Sequence, residues 1–91
     1  VNMFTKAMAL ELGPYGIRIN AVCPGDVLRP LTEAQLKQYP DRQAALQEMA
    51  SVYPLGRIAT VDEVAEIVYF LAGSKASFVN GALWSVDGGL T

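Results

Sequence analysis

Arg18-Ile19-Asn20-Ala21-Val22-Cys23-Pro24-Gly25 is the stretch whose reading decides the fold. β-Branched Ile17, Ile19 and Val22, bounded by Gly16 and by Pro24-Gly25, predict a strand over residues 17–23. Its apolar residues do not alternate, which suits a strand buried on both faces of a parallel sheet. Further on, Thr60-Val61-Asp62-Glu63 has the form of a capping box and predicts a helix to about Ala72, with Val61, Val64, Ala65, Val68, Leu71 and Ala72 as its apolar stripe and Gly73 as its stop. Residues 83–87 predict a second strand, closed by Gly88-Gly89. Strand, helical crossover, strand is the βαβ unit of an α/β protein, and its strands run parallel. Two strands alone leave both sheet faces and both edges uncovered, so further neighbours are expected.

Before this unit, residues 1–13 read as a helix with Phe4, Met8 and Glu11 at helical spacing. Gly13 is expected to supply a left-handed C-terminal cap and Pro14 to forbid continuation. No initiator Met, N-cap residue or signal-peptide pattern marks the start, so the chain is expected to begin inside a helix. Within the unit, residues 31–53 turn polar. Thr32 and Gln35 form a capping-box pattern, Pro40-Asp41 separates two short helical stretches, and the second sets Leu46, Met49, Ala50 and Tyr53 on one face. That pattern predicts an amphipathic flap. Pro54-Leu55-Gly56 punctuates the chain before the next helix. No internal repeat, low-complexity tract or Gly/Ser linker interrupts it.

The 91 residues fit one small domain at most, yet 52% of them are hydrophobic. That is more than so small a surface readily hides, and it points to cover from outside the chain. No uninterrupted apolar run approaches the ~20 residues that span a bilayer. Seven basic and nine acidic residues give a net charge of -2, with no basic block to engage a phosphate backbone, so nucleic acid is not an expected partner. Cys23 is the single cysteine, which excludes an internal disulfide and suggests an inert core thiol in a reducing, cytoplasmic compartment. Histidine is absent. Its absence removes the usual general base, the Ser/His/Asp triad and most transition-metal sites. Asp62, Glu63 and Glu66 gather at a helix N-terminus, where carboxylates complement the dipole, and no metal is expected there. Trp84 and Phe78 read as packing residues, since no basic groove accompanies them.

Three landmarks carry a resemblance: the 18–25 stretch already quoted, then Pro54-Leu55-Gly56-Arg57 with the Glu63 helix and Phe70-Leu71-Ala72, then Asn80-Gly81 and Val86-Asp87-Gly88-Gly89. In this order they resemble the C-terminal part of the short-chain dehydrogenase/reductase family over essentially residues 1–91. The resemblance implies a Rossmann-type, doubly wound parallel sheet, of which this chain supplies the last two strands with their helices. By the same resemblance, residues 1–13 end the active-site helix, 17–29 form a strand and the Pro-Gly loop, 31–53 are a substrate-covering insertion, and 60–89 are the last helix and strand. Gly88-Gly89 then lie near a subunit interface of a homo-oligomer, a tetramer or dimer.

In open α/β sheets ligands bind outside the carboxyl ends of the strands, where the Pro-Gly loop is expected. Gly25 lets backbone approach a ligand with no side chain between. The resemblance assigns NAD or NADP as cofactor, with the Val27 main chain on the nicotinamide carboxamide and Pro24, Gly25 and Asp26 shaping the pocket. The family usually has Thr four residues after this Gly. Here that position is Arg29, a donor only, and no cofactor role is carried onto it.

The family's chemistry needs a Gly-rich turn, a Ser and a Tyr-x-x-x-Lys pair, in which the Lys lowers the phenol pKa for general acid–base work. Four positions after Tyr15, Tyr39, Tyr53 and Tyr69 stand Ile19, Gln43, Arg57 and Gly73. None completes the pair, and no catalytic residue is assigned. The expected parent is an oxidoreductase moving hydride between a nicotinamide cofactor and an alcohol or carbonyl substrate. Two alternatives stand beside it: a non-catalytic truncated assembly module, and a family member with altered chemistry such as an epimerase or dehydratase.

Overall fold

The computed structural model describes residues 2–91, so the expected helix position at Val1 lies outside the described residues. The chain divides into two compact units. The first holds the segment ending at Cys23 together with Ala65–Ser85, and the second holds Pro24–Val64 with Val86–Thr91.

In the first unit, helix α1 (Asn2–Leu12) runs into a 3-10 turn at Gly13–Tyr15. The left-handed residue that ends this run is Gly16, at φ 77°, rather than Gly13. Pro14 explains the difference: it fits the first turn of a 3-10 helix, so the chain tightens for one turn before it stops. The face of α1 that packs carries Thr5 and Ala9, while Phe4 and Glu11 of the expected stack are exposed. Small residues on that face let Gly81 approach, and a Cβ added at Gly81 would lie 3.3 Å from the Ala9 Cβ.

Strand β1 (Ala21–Pro24) pairs with the strand formed by Leu83–Val86. Ala21 N–H donates to the Ala82 carbonyl at 2.9 Å and Gly25 N–H to the Val86 carbonyl at 3.1 Å. Both bonds advance in the same sense, so the pair is parallel, as the βαβ pattern predicts. The strand starts four residues later than expected, because side chains take over its first hydrogen bonds. Ile19 N–H donates to Asn80 Oδ1 at 3.0 Å; Asn20 donates through Nδ2 to the Val79 carbonyl at 3.0 Å and accepts from Ala82 N–H at 2.9 Å.

The guanidinium of Arg18 donates to the carbonyls of Leu71, Gly73 and Val79 at 2.9, 3.3 and 3.3 Å. Of these, the Leu71 carbonyl is one that the end of a helix leaves without an intrahelical partner. Gly73 accordingly stops that helix in an extended conformation, at φ -90° and ψ 175°. Phe70 meets Trp84 edge to face, with ring centroids 5.8 Å apart. Phe78, expected to pack, is fully exposed at 102%; nothing in its own unit covers it.

In the second unit, strand β2 (Val27–Leu28) is followed by helices α2 (Pro30–Leu36) and α3 (Arg42–Ala50), then strand β3 (Ala59–Thr60). β2 and β3 pair in parallel, Val27 opposite Ala59 and Leu28 opposite Thr60. The core of this unit is Leu36, at 0% exposed, with buried Ala50, Tyr53 and Ile58. Pro30 occupies the first turn of α2, so Thr32 lies inside the helix and is not its cap. Its hydroxyl donates instead to the Val27 carbonyl at 2.6 Å. Asp41 caps α3 by accepting from Ala44 N–H at 3.2 Å, and Arg42 forks onto Glu33 at 3.1 and 2.6 Å.

Helix α4 (Val61–Ala72) opens as the capping box predicts. Thr60 N–H donates to Glu63 Oε1 at 2.9 Å, and Glu63 N–H donates to Thr60 Oγ1 at 3.2 Å. Of its expected apolar stripe only Leu71 is buried, and Val61 and Val68 are about half exposed. The last strand, β4 (Leu83–Val86), ends where predicted, to within one residue.

Candidate functional site

The loop after β1 lies wholly within the second unit, and its backbone groups can be followed one by one. Pro24 has no N–H to place. Gly25 N–H bonds the Val86 carbonyl at 3.1 Å, and the Asp26 carbonyl accepts from Ala59 N–H at 3.0 Å. Because β3 takes the carbonyl before Val27, Val27's own N–H and C=O point to the other side of β2. That carbonyl accepts from Thr32, and the N–H points the same way. Beside it opens a cavity of about 470 Å³ bordered by Pro24, Gly25, Asp26, Val27, Arg29 and Thr32. The structure thus brings the four expected residues 24–27 to one cavity wall.

Tyr53 is the residue that sequence reasoning undervalued. It was legible only as one position on an apolar face, since its partner stands 27 residues earlier. Its hydroxyl accepts from Asp26 N–H at 2.7 Å and donates to Asp26 Oδ2 at 2.7 Å. The Asp26 N–H favours the phenolate, but the carboxylate that the phenol faces, burial and the charge of Asp87 outweigh it, and the phenol pKa lies above its ordinary value. Tyr53 is therefore a protonated donor at neutral pH. Its ring covers Gly25. A Cβ added there would lie 2.7 Å from Tyr53 Cε1 and 3.0 Å from its oxygen. The side of Gly25 read from sequence as open to a ligand is filled by this ring, and glycine is needed there to admit it.

Arg57 forks onto Glu63 at 2.8 and 2.7 Å. The Arg57 guanidinium and the Thr60 N–H hold the Glu63 carboxyl at about 2. Glu63 is thus committed to structure, and among the described residues no group of His, Cys, Asp and Glu has the arrangement to hold a metal ion. Cys23 is half-buried rather than a core thiol. The Arg29 side chain borders the cavity and is exposed; no hydrogen bond or ion pair engages its guanidinium among the described residues. Among the described residues no helix is long and apolar enough to cross a membrane.

Comparison with known proteins gives a consistent result. A family model described as enoyl-(acyl carrier protein) reductase matches residues 1–91. The chain is 41% identical over 87 residues to the short-chain dehydrogenase anuF of Penicillium roqueforti, covering 96% of this chain and 30% of that protein. It is 42% identical over 88 residues to the inactive 2-(S)-hydroxypropyl-CoM dehydrogenase 2 of Xanthobacter autotrophicus, covering 96% of this chain and 38% of that one. Among solved structures, a short-chain dehydrogenase family protein from Francisella tularensis superposes with a TM-score of 0.90 at 37% identity, over 98% of this chain and 39% of that chain. The chain spans about a third of the length of the curated relatives it matches.

Proposed function

Because the chain belongs to the short-chain dehydrogenase/reductase family, we propose that it forms the cofactor-closing end of an NAD(P)-dependent oxidoreductase. The whole enzyme transfers hydride between a nicotinamide cofactor and an alcohol or carbonyl substrate. The observation that carries this reading is the Val27 N–H, which β3 does not take and which points toward the side where Thr32 and the cavity lie. A nicotinamide carboxamide offers an acceptor oxygen that such a donor fits. Pro24, Gly25 and Asp26 shape the wall beside it, at the carboxyl end of a parallel strand, where open α/β sheets bind ligands. The cofactor in this reading is NAD or NADP. When bound, the cofactor supplies the hydride chemistry; the residues of this chain bind and orient its ring.

In the same reading, residues 31–53 cover the substrate, residues 1–13 belong to the active-site helix, and Gly88-Gly89 lie toward a subunit boundary in a cytoplasmic homo-oligomer, tetramer or dimer. No tyrosine of the 91 residues has a lysine four positions on, so the proton-transfer residues belong to other parts of the enzyme. The 91-residue chain by itself is inactive.

The test is Val27→Pro in the full-length protein, which removes one N–H that the β2–β3 pairing does not use. Titration with NADH and NADPH is expected to show strong binding by the unaltered protein and loss of binding by the variant. Equal binding by both overturns the assignment. A second reading, a non-catalytic assembly module, is favoured by the exposed apolar side chains of Met3, Phe4, Leu10 and Phe78. An intact mass equal to that of these 91 residues, with no second polypeptide bound, selects it.

A further inference from the structure

Resting on that reading, we infer that Tyr53 is a positioning residue for the cofactor loop, a latch that joins the end of the 31–53 insertion to the backbone of residues 25–27. The phenol grips Asp26 twice, accepting from its N–H and donating to its carboxylate, each at 2.7 Å. The ring is 7% exposed and lies on Gly25 so closely that no Cβ fits between them. Gly88 also packs against Tyr53, since a Cβ there would lie 3.5 Å from Tyr53 Cβ and 3.7 Å from its Cδ1.

The accounting of backbone groups shows what the latch does. Gly25 N–H is held by Val86, the Asp26 carbonyl by Ala59 and the Val27 carbonyl by Thr32. Asp26 N–H is the group between them that no backbone carbonyl takes, and the Tyr53 oxygen takes it. Without that bond, the peptide between Gly25 and Asp26 is free to rotate, glycine offering little resistance. The Val27 N–H belongs to the next peptide, whose plane the Asp26–Ala59 bond holds, so what such rotation displaces is the Gly25 stretch of wall beside that donor. Tyr53 therefore fixes the wall beside the donor that the cofactor needs, while touching neither cofactor nor substrate. The N–H is part-buried, so leaving its bond unmade also carries some desolvation cost.

The experiment uses full-length protein and Tyr53→Phe, which keeps the ring on Gly25 and removes only the hydroxyl. Three quantities are read: the dissociation constant for NADH and NADPH, kcat at saturating cofactor, and hydrogen exchange resolved to the peptide containing Asp26. The latch requires weaker cofactor binding by about tenfold, the scale of one lost hydrogen bond, together with faster exchange confined to that peptide and kcat close to that of the unaltered protein. Unchanged exchange at Asp26 overturns the latch. So does faster exchange there with unchanged cofactor affinity, or faster exchange that spreads through α4 and β4, which marks general loss of stability. If the unaltered protein binds neither dinucleotide, the functional reading fails and the inference falls with it. The exchange measurement, which needs no cofactor, tells that failure apart from the others.

Discussion

The side-chain amide of Asn80 donates to the Ala9 carbonyl at 3.0 Å, joining α1 to a turn 71 residues away. The same side chain accepts from Ile19 N–H. Ala9 lies in the last four residues of α1, whose carbonyls have no partner within the helix. Asn80→Ala removes both bonds and leaves both backbone groups wanting, and a loss of about 1–3 kcal/mol is expected. Denaturant unfolding of the full-length protein measures it, and a midpoint equal to that of the unaltered protein contradicts the role.

Gly25→Ala places a methyl group 2.7 Å from Tyr53 Cε1. Overpacking of that kind costs about 1–3 kcal/mol. The penalty is expected to shrink when Tyr53 is also reduced to alanine, because the obstructing ring is gone. A double-mutant cycle reads the coupling directly. Strict additivity would mean that some other contact demands glycine at this position.

Arg18→Lys keeps the charge but replaces a rigid fork of five donors with a point charge. The three carbonyls of Leu71, Gly73 and Val79 cannot then be served together. A loss of about 1.5–3 kcal/mol is expected, on the scale of hydrogen bonds to a charged group. Thermal unfolding, with hydrogen exchange over the last turn of α4, should show that turn fraying first. Lysine performing as well as arginine would show that charge alone suffices.

Glu63 gives a pH dependence with a definite sign. Arg57, and after it the Thr60 N–H, lower its carboxyl from 4.5 to about 2. A carboxylate whose pKa is depressed in the fold contributes its stability above the unfolded value and loses it as pH falls through the folded one. Glu63→Gln keeps a capping side chain but breaks the pair with Arg57. Its deficit against the unaltered protein is expected in full at neutral pH and should close between about pH 4.5 and 2. A deficit that persists unchanged at pH 2 would assign the effect to something other than this charge.

Local chemistry was legible in the sequence where partners are close along the chain. Thr60 and Glu63 stand three residues apart, and their reciprocal bonds appear as predicted. The helix between two parallel strands was legible for a similar reason, since hydrophobic period and glycine punctuation are local signals. Long-range substitutions of side chain for backbone were not. Asn20 and Asn80 take over hydrogen bonds that would otherwise extend β1 back toward Ile19, and asparagine in a β-rich stretch gives no sign of that. β2 and β3 are two residues each, too short for any period, and only their pairing defines them. Gly25 was read as a place where a ligand approaches the backbone, whereas the group that lies on it is the Tyr53 ring, which could not be found from local pattern. The left-handed position fell to Gly16 instead of Gly13 because Pro14 admits one more tight turn.

The pair of hydrogen bonds between Tyr53 and Asp26 sets a boundary for anyone who would recombine this protein. The segment 31–53, proposed above to cover the substrate, invites exchange with a relative as a cassette. A donor cassette that lacks tyrosine at its last position would, unnoticed, cut the tie to the loop at residues 25–27. A splice made after Val52 keeps cover and tie separable in breeding such hybrids.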